Sequence, residues 1–363
     1  MKALLLAAAL HRARQLTLRA VICNGGHQAT ERARLARCLL DHVDTRDVPV
    51  GIGSEGVFYE PRPHEYALGG YEAVDDGRLL PGAALLLRAL RASPKKSLRV
   101  VLISSLRDFA DVARAHPELV ERVVHSVAVQ GGLEADASSP GGWRPDSSVN
   151  NTFDTEAATF VYAFCFERRL PLTVVSRHAV PLLPMQLAKS FAERTDCPVM
   201  RYLADAQFKG LEGLWHKLCE GKLPPRCSKQ WYFETFCGVG RDAFDDNVHG
   251  SLGTTASIGD HLNGFVKPYD VVALIVALPL GRPLIADGAA YEFNGTTHSL
   301  LLSADTAVAV VPVAELLRDV YHAAVAHTRR AAEGRRRGSR TLAHGPQLLS
   351  LIHISEPTRR TPI

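Results

Sequence analysis

The sequence predicts an α/β fold: an open, mostly parallel, doubly wound sheet with helices on both faces. Runs rich in β-branched residues alternate with runs of helical periodicity, beginning with 16–23, 30–43 and 98–104. In such a β-α-β-α order each helix returns the chain to the same end of the sheet, so consecutive strands are parallel. The composition is that of an ordinary globular protein, with 46% hydrophobic and 22% charged residues in a chain of 363.

The alternation predicts the elements in chain order. Strands are expected at 16–23, 48–52, 98–104, 123–129 and 170–176, with a strand pair over 296–312. Helices are expected at 30–43, 108–115, 155–162, 269–278 and 316–326. Residues 177–265 have a less regular pattern of mixed helices and loops.

The first residues, MKALLLAAALHRAR, fit either a short signal peptide or a buried helix. The apolar run is brief and no small-x-small cleavage site follows it, which favours the helix. Seven cysteines occur without a C-x-x-C pair or a Cys/His zinc spacing, which indicates reduced thiols and a cytoplasmic location. The longest later apolar run, 271–280, is shorter than the roughly 20 residues of a membrane span, so no membrane partner is expected.

The most informative stretch is 145–158, PDSSVNNTFDTEAA, which follows a predicted strand and ends in a helix. Asp154 fits the N-cap of that helix, because a short carboxylate accepts the unpaired N–H groups of the first turn. Ser148 and Asn150, with Asp146 and Asn151, then lie on a loop at the carboxyl edge of the sheet, where open α/β folds bind ligands. The alternative is an ordinary turn, in which Asn and Asp are common.

Three other positions and one stretch fit either a site or a structural role. Asn24 ends the first strand before two glycines, where a ligand can approach the backbone closely, or where the chain simply turns. Asp270 stands at the head of an apolar helix as a metal ligand or base, or as a first-turn acid favoured by the helix dipole. Tyr269 beside it can donate a proton or pack. The aromatic stretch 223–237 fits a core or a lid over a pocket.

Two motifs have weaker functional interpretations. Residues 51–56 fit G-x-G-x-x-G, but the following residues contain two prolines and cannot open a packed helix, which argues against dinucleotide binding. The basic run 329–340 is typical of a solvated tail, and nucleic acid is not an expected partner.

Six segments, in order along residues 1–325, resemble segments of the inosine–uridine-preferring nucleoside hydrolase family. They are AVICNGG, VPVGIG, VLISSLRDFADVARAHPELVERV, VAVQGG, VNNTFDTEAATFVY and PYDVVALIVAL. The resemblance implies hydrolysis of the N-glycosidic bond of ribonucleosides, with a calcium ion that holds the 2′ and 3′ hydroxyls and a water. A small-molecule ribonucleoside is then the partner, and a homo-oligomer is common in the family.

The resemblance also implies roles for residues of this chain. Ribose hydroxyls would be bound by Asn24, Asn150 and Ser148, the last at a position where the family often has glutamate. Calcium would be bound by Asp270 and the backbone carbonyl of Arg107. Tyr269 replaces a histidine that the family links to protonation of the leaving base.

The family begins with a strand carrying D-x-D-x-G-x-D-D, and Met1 falls immediately after the place of its last aspartate. This implies that the chain lacks most calcium carboxylates and the general base, and is inactive by itself. A non-catalytic nucleoside- or ribose-binding protein of the same fold is the alternative. The predicted organisation is a hydrolase-like domain over 1–328, a basic tail over 329–348, and non-native sequence over 349–363, which resembles sequencing-adapter read-through.

Overall fold

The computed structural model contains the predicted alternation of strands and helices. It describes residues 1–25, 28–55, 63–193, 197–223, 225, 227–308, 313–315, 317–318 and 347–352. The strands are β1 (Leu16–Cys23), β2 (Val50–Ile52), β3 (Leu79–Pro81), β4 (Leu98–Leu102), β5 (Val124–Gln130), β6 (Leu133–Ala135), β7 (Trp143–Pro145), β8 (Leu172–Val175), β9 (Leu183–Pro184), β10 (Phe265–Val266), β11 (Ala290–Phe293), β12 (Thr296–Leu301) and β13 (Gln347–Ile352).

The helices are α1 (Lys2–Arg12), α2 (Ala29–His42), α3 (Gly82–Arg91), α4 (Arg107–Ala115), α5 (Pro117–Val123), α6 (Val149–Thr152), α7 (Thr155–Glu167), α8 (Met185–Ala192), α9 (Pro198–Cys219), α10 (Lys229–Tyr232) and α11 (Tyr269–Ala277). None of the helices in the described part of the chain is long and apolar enough to cross a membrane. The first of them, α1, confirms that the apolar start of the chain is helical, with Leu4 and Leu5 buried.

In the part of the chain that the structure describes, nine strands form the main sheet, in the order β11-β12-β8-β5-β4-β13-β1-β2-β3. Every neighbouring pair is parallel except β11 and β12. One face of the sheet packs against α3, α4 and α7. Helix α11 packs against β4, β5 and β8. Helix α1 packs against β1 and α11. Successive residues such as Val100 and Val101 are both buried, as expected of a parallel sheet covered on both faces. The predicted fold class is confirmed.

The strand between β1 and β4 comes from the end of the chain. β13 pairs with β1 through Leu16 to Ile22 and with β4 through Leu98 to Leu102, parallel to both. Because residues 349–363 were expected to be non-native sequence, no strand was predicted there. The basic tail expected over 329–348 lies outside the described residues as far as 346, and the origin of residues 349–363 stays a prediction.

Two local expectations are wrong in their bounds or type. The strand pair expected over 296–312 is the hairpin β11–β12, because Asn294 and Gly295 adopt left-handed backbone angles (φ 48° and 71°) and turn the chain there. Asn150 and Asn151 lie on the short helix α6 rather than on a loop. Most of the helix expected over 316–326 lies outside the described residues.

Residues 181–268 form a second compact unit. Its centre is a cluster of buried aromatic rings, with centroid separations of 5.1 Å between Trp215 and Tyr232 and 4.9 Å between Tyr232 and Phe236. Lys229 Nζ donates to the carbonyl oxygens of Gly250 and Leu252 at 2.6 and 2.7 Å. The aromatic stretch singled out in the sequence therefore forms the core of this unit.

Candidate functional site

Asn24 follows the carboxyl end of β1 and is fully buried, at 0% exposure. Its Nδ2 donates to the carbonyl oxygen of Ser105 at 3.0 Å and to the carboxylate of Asp108. Its Oδ1 has no hydrogen-bond partner in the described part of the chain. Buried polar atoms are nearly always hydrogen-bonded in native proteins, so we expect a ligand or a water to donate to this acceptor.

Asp108 lies in the first turn of α4 and is only 5% exposed. Besides the Asn24 amide, its carboxylate accepts from the backbone N–H and the hydroxyl of Ser54, at 2.9 and 3.1 Å. Close approach is allowed by Gly53, where a Cβ would stand 2.7 Å from Asp108 Oδ2. Asp108 thus joins the ends of β1, β2 and β4. The sequence did not single it out, because an acid in a first helical turn is usual.

Asn150 lies on α6, at 4% exposure, beside the end of β5. Its Nδ2 donates to the carbonyl oxygen and to the side-chain Oε1 of Gln130, at 2.8 and 2.6 Å. Ser148 is the N-cap residue of α6, and its Oγ is buried without a partner among the described residues. Gln130 was not predicted as a site residue.

Asn151, next to Asn150, has a structural role. Its Nδ2 donates to Gly132 O and to the Asp146 carboxylate, at 2.9 and 3.0 Å, and its Oδ1 accepts from the Tyr162 hydroxyl at 3.0 Å. Burial raises the pKa of the Tyr162 hydroxyl, so it stays a donor. The Asp146 carboxylate also accepts from the Ser148 backbone N–H at 2.9 Å. This network holds the start of α6 against β5.

The glycines of VAVQGG are explained by the same network. A Cβ on Gly131 would stand 2.7 Å from the Tyr162 hydroxyl, and one on Gly132 would stand 2.1 Å from Asp146 Oδ2. Both distances are below any normal contact, so only glycine lets the chain pass beneath this polar network.

Arg107 begins α4, and its side chain is half exposed. The guanidinium lies 3.5 Å from the Asp154 carboxylate. Asp154 caps α7 as predicted, because its side chain accepts from the backbone N–H of Ala157 at 2.9 Å. Arg107 therefore links the start of α4 to the start of α7.

Tyr269 and Asp270 are the first residues of α11, and Asp270 is buried. The described residues contain no group of three or more His, Cys, Asp or Glu side chains that could hold a metal ion. Calcium binds about 6–8 oxygen ligands, several of them usually carboxylates. Among the described residues, calcium would therefore have too few oxygen ligands, since only Asp270 and the backbone carbonyl of Arg107 are expected to bind it.

The polar groups lie at one edge of the sheet. Asn24 follows β1, Ser105 and Asp108 follow β4, and Gln130 ends β5, so all stand at the carboxyl ends of parallel strands. Ligands of open α/β sheets bind at this edge. The arrangement offers amide and hydroxyl oxygens, which suit a ligand rich in hydroxyl groups.

Comparison with known proteins identifies the family of the chain. A family model described as inosine–uridine preferring nucleoside hydrolase matches residues 2–231, which is more than half of the chain. The chain belongs to this family. The match contains Asn24, Asp108, Gln130 and Asn150. No curated protein sequence matches the chain.

Solved structures of the same fold include an effector protein and two hydrolases. The type III effector protein XopQ, solved in complex with adenosine diphosphate ribose, has a TM-score of 0.68 at 23% identity, covering 90% of this chain and 89% of its own. An inosine–uridine preferring nucleoside hydrolase from Bacillus anthracis has a TM-score of 0.52 at 12% identity, covering 89% and 96%. An inosine–guanosine nucleoside hydrolase has a TM-score of 0.54 at 13% identity, covering 88% and 95%. At these identities the likeness shows the fold alone.

Proposed function

We propose that the protein acts on ribonucleosides, and that in a form with a complete calcium site it hydrolyses the N-glycosidic bond to ribose and free base. The observation that supports this most directly is the buried Oδ1 of Asn24 at the carboxyl edge of the sheet, which has no hydrogen-bond partner among the described residues. A ribose hydroxyl can donate to this oxygen, and family membership supplies the reaction class.

The ribose would be bound by the polar groups of two neighbouring segments. The amide oxygen of Asn24 accepts no hydrogen bond from the described residues. The Asn150 amide donates through Nδ2 to Gln130, which leaves its oxygen to accept, and the Ser148 hydroxyl can both donate and accept. During hydrolysis a water adds at C1′ and gives up a proton to solvent, the bond to the base nitrogen breaks, and the base takes up a proton. We assign that donation to Tyr269, whose phenol can carry a proton to a leaving group.

Calcium, which the family implies, would supply charge to lower the pKa of a bound water and to orient the sugar. Asp270 and the carbonyl of Arg107 are the ligands that the resemblance implies, but the described residues group no further carboxylates with them. We propose that the chain of 363 residues binds ribonucleosides and does not hydrolyse them.

A second candidate is a ribose- or nucleoside-binding protein that has no catalytic form. It is favoured because the described residues group no set of carboxylates that could hold calcium. The effector XopQ, whose structure contains adenosine diphosphate ribose, extends the candidate ligands from nucleosides to ribose attached to a diphosphate.

The test compares two proteins: the chain itself, and a fusion in which a strand with D-x-D-x-G-x-D-D precedes Met1. Ribose release from inosine and uridine is measured with and without calcium. We expect release only by the fusion with calcium, abolished by Asp270→Ala and kept by Asp287→Ala, a matched change at an exposed acid. Binding without release by both proteins would select the second candidate.

A further inference from the structure

The two asparagines of the candidate site are held in one orientation. Asn24 Nδ2 donates to a backbone carbonyl, that of Ser105, and to a carboxylate, that of Asp108. The Ser105 carbonyl can only accept, and the Asp108 oxygen that faces the amide already accepts from the Ser54 hydroxyl. The N–H₂ end of the amide must therefore face them, and the orientation follows from chemistry rather than from atom labels.

Asn150 has the same arrangement with different partners. Its Nδ2 donates to the backbone carbonyl of Gln130, which can only accept, and to Gln130 Oε1. Both hydrogens of each amide are used, so each side chain has only its Oδ1 left to offer. Asn151 is the internal contrast, because its Oδ1 already accepts from the Tyr162 hydroxyl and nothing remains for a ligand.

We propose that Asp108 and Gln130 are positioning residues that fix Asn24 and Asn150 as pure acceptors, so that the site selects ligands by hydroxyl donors. This rests on the proposed function and deepens it. Ribose suits the site because its 2′ and 3′ hydroxyls each carry a hydrogen to donate. A group of the same size that only accepts, such as fluorine, leaves a buried Asn24 Oδ1 without a partner, which is costly.

The first experiment needs no variant. Affinities of the full chain for inosine, 2′-fluoro-2′-deoxyinosine and 3′-fluoro-3′-deoxyinosine are measured by calorimetry. We expect at least one fluoro ligand to bind about tenfold more weakly than inosine, the factor expected when a buried acceptor loses its donor. Equal affinity for all three ligands would overturn the proposal.

The second experiment links this selectivity to Asp108. In Asp108→Asn the new amide can donate to Asn24, which lets Asn24 turn its oxygen away from the ligand. We expect this variant to bind inosine about tenfold more weakly and to lose most of its preference for hydroxyl over fluorine. Asp111→Asn, the same change at an exposed position of α4, should keep both. A variant that is only destabilised would keep the preference, which would contradict a positioning role.

Gln130→Met tests the second amide. It removes Oε1 but keeps the backbone carbonyl, so we expect a smaller loss of affinity, about threefold. Failure of the proposed function has a different signature: inosine, uridine and adenosine diphosphate ribose would all fail to bind.

The orientation of the Asn24 amide is measured in the free protein by selective ¹⁵N-asparagine labelling. Slow solvent exchange of both Asn24 side-chain N–H protons that becomes fast in Asp108→Asn would support the proposed orientation. Fast exchange in the parent protein would refute it.

Discussion

Lowering the pH should destabilise the protein through one buried side chain, His298. It lies in β12, opposite Tyr291 of β11, and is 0% exposed. Its ring packs 4.8 Å from that of Phe166, and neither ring nitrogen has a hydrogen-bond partner among the described residues. Burial lowers the pKa of His298 from 6.5 to about 4, with Glu292 opposing the shift. A charged imidazolium is poorly accommodated there.

The sign and size of the effect follow from the two pKa values. Below pH 6.5 the unfolded chain takes up a proton at this position, while the folded protein stays neutral until about pH 4. The contribution of this residue to the free energy of unfolding is thus fully present above pH 6.5 and is lost as the pH falls towards 4. For these values, the change from pH 7 to pH 5 lowers the free energy of unfolding by about 2 kcal/mol.

Urea denaturation at pH 7 and pH 5 measures this loss, and His298→Leu isolates it, because the variant cannot be protonated there. We expect the loss between the two pH values to be about 2 kcal/mol smaller in the variant than in the parent. The matched control is His216→Leu, since His216 is exposed and leaves the buried histidine in place. An identical pH dependence in the parent and His298→Leu would refute the reasoning.

Three further predictions concern stability. Gly132→Ala should lower the free energy of unfolding by about 1–3 kcal/mol, since its Cβ would meet the Asp146 carboxylate at 2.1 Å; an unchanged urea midpoint would contradict this. Gly210→Ala should raise the free energy of unfolding by about 0.5–1 kcal/mol, because this glycine lies within α9 and a Cβ there would meet no atom of the described residues within 4 Å; a lower midpoint would contradict the helix. Ending the chain after Pro346 removes β13 and should lower the free energy of unfolding by on the order of 3 kcal/mol. It should also promote aggregation, because the edges of β1 and β4 become exposed. Unchanged thermal unfolding would show that this strand contributes nothing to stability.

The fold was largely predictable because its signals are local. β1 agrees with the sequence prediction at both ends, and Asp154 caps α7 because a cap depends only on the residues within one turn. β13 was not predictable in this way. A short apolar run does not show which strands it will pair with, and its neighbours β1 and β4 are far away in the sequence.

The candidate site was predictable in part. Asn24, Ser148 and Asn150 stood out because short polar residues follow strands, and the structure places them at the carboxyl edge. Asp108 and Gln130 did not stand out, because their importance depends on which amide each one faces, and those amides belong to segments brought together only by the sheet. The roles of Tyr269, Asp270 and Arg107 came from the family resemblance and stay proposals.

The central proposal is that this chain binds ribonucleosides through Asn24 and Asn150, while its described residues group no set of carboxylates that could hold calcium. The most direct measurement combines inosine binding by calorimetry with ribose release, using the chain of 363 residues with and without calcium. We predict binding that Asp108→Asn weakens, and no ribose release under either condition. Calcium-dependent ribose release by this chain would contradict the claim, and so would the absence of any binding.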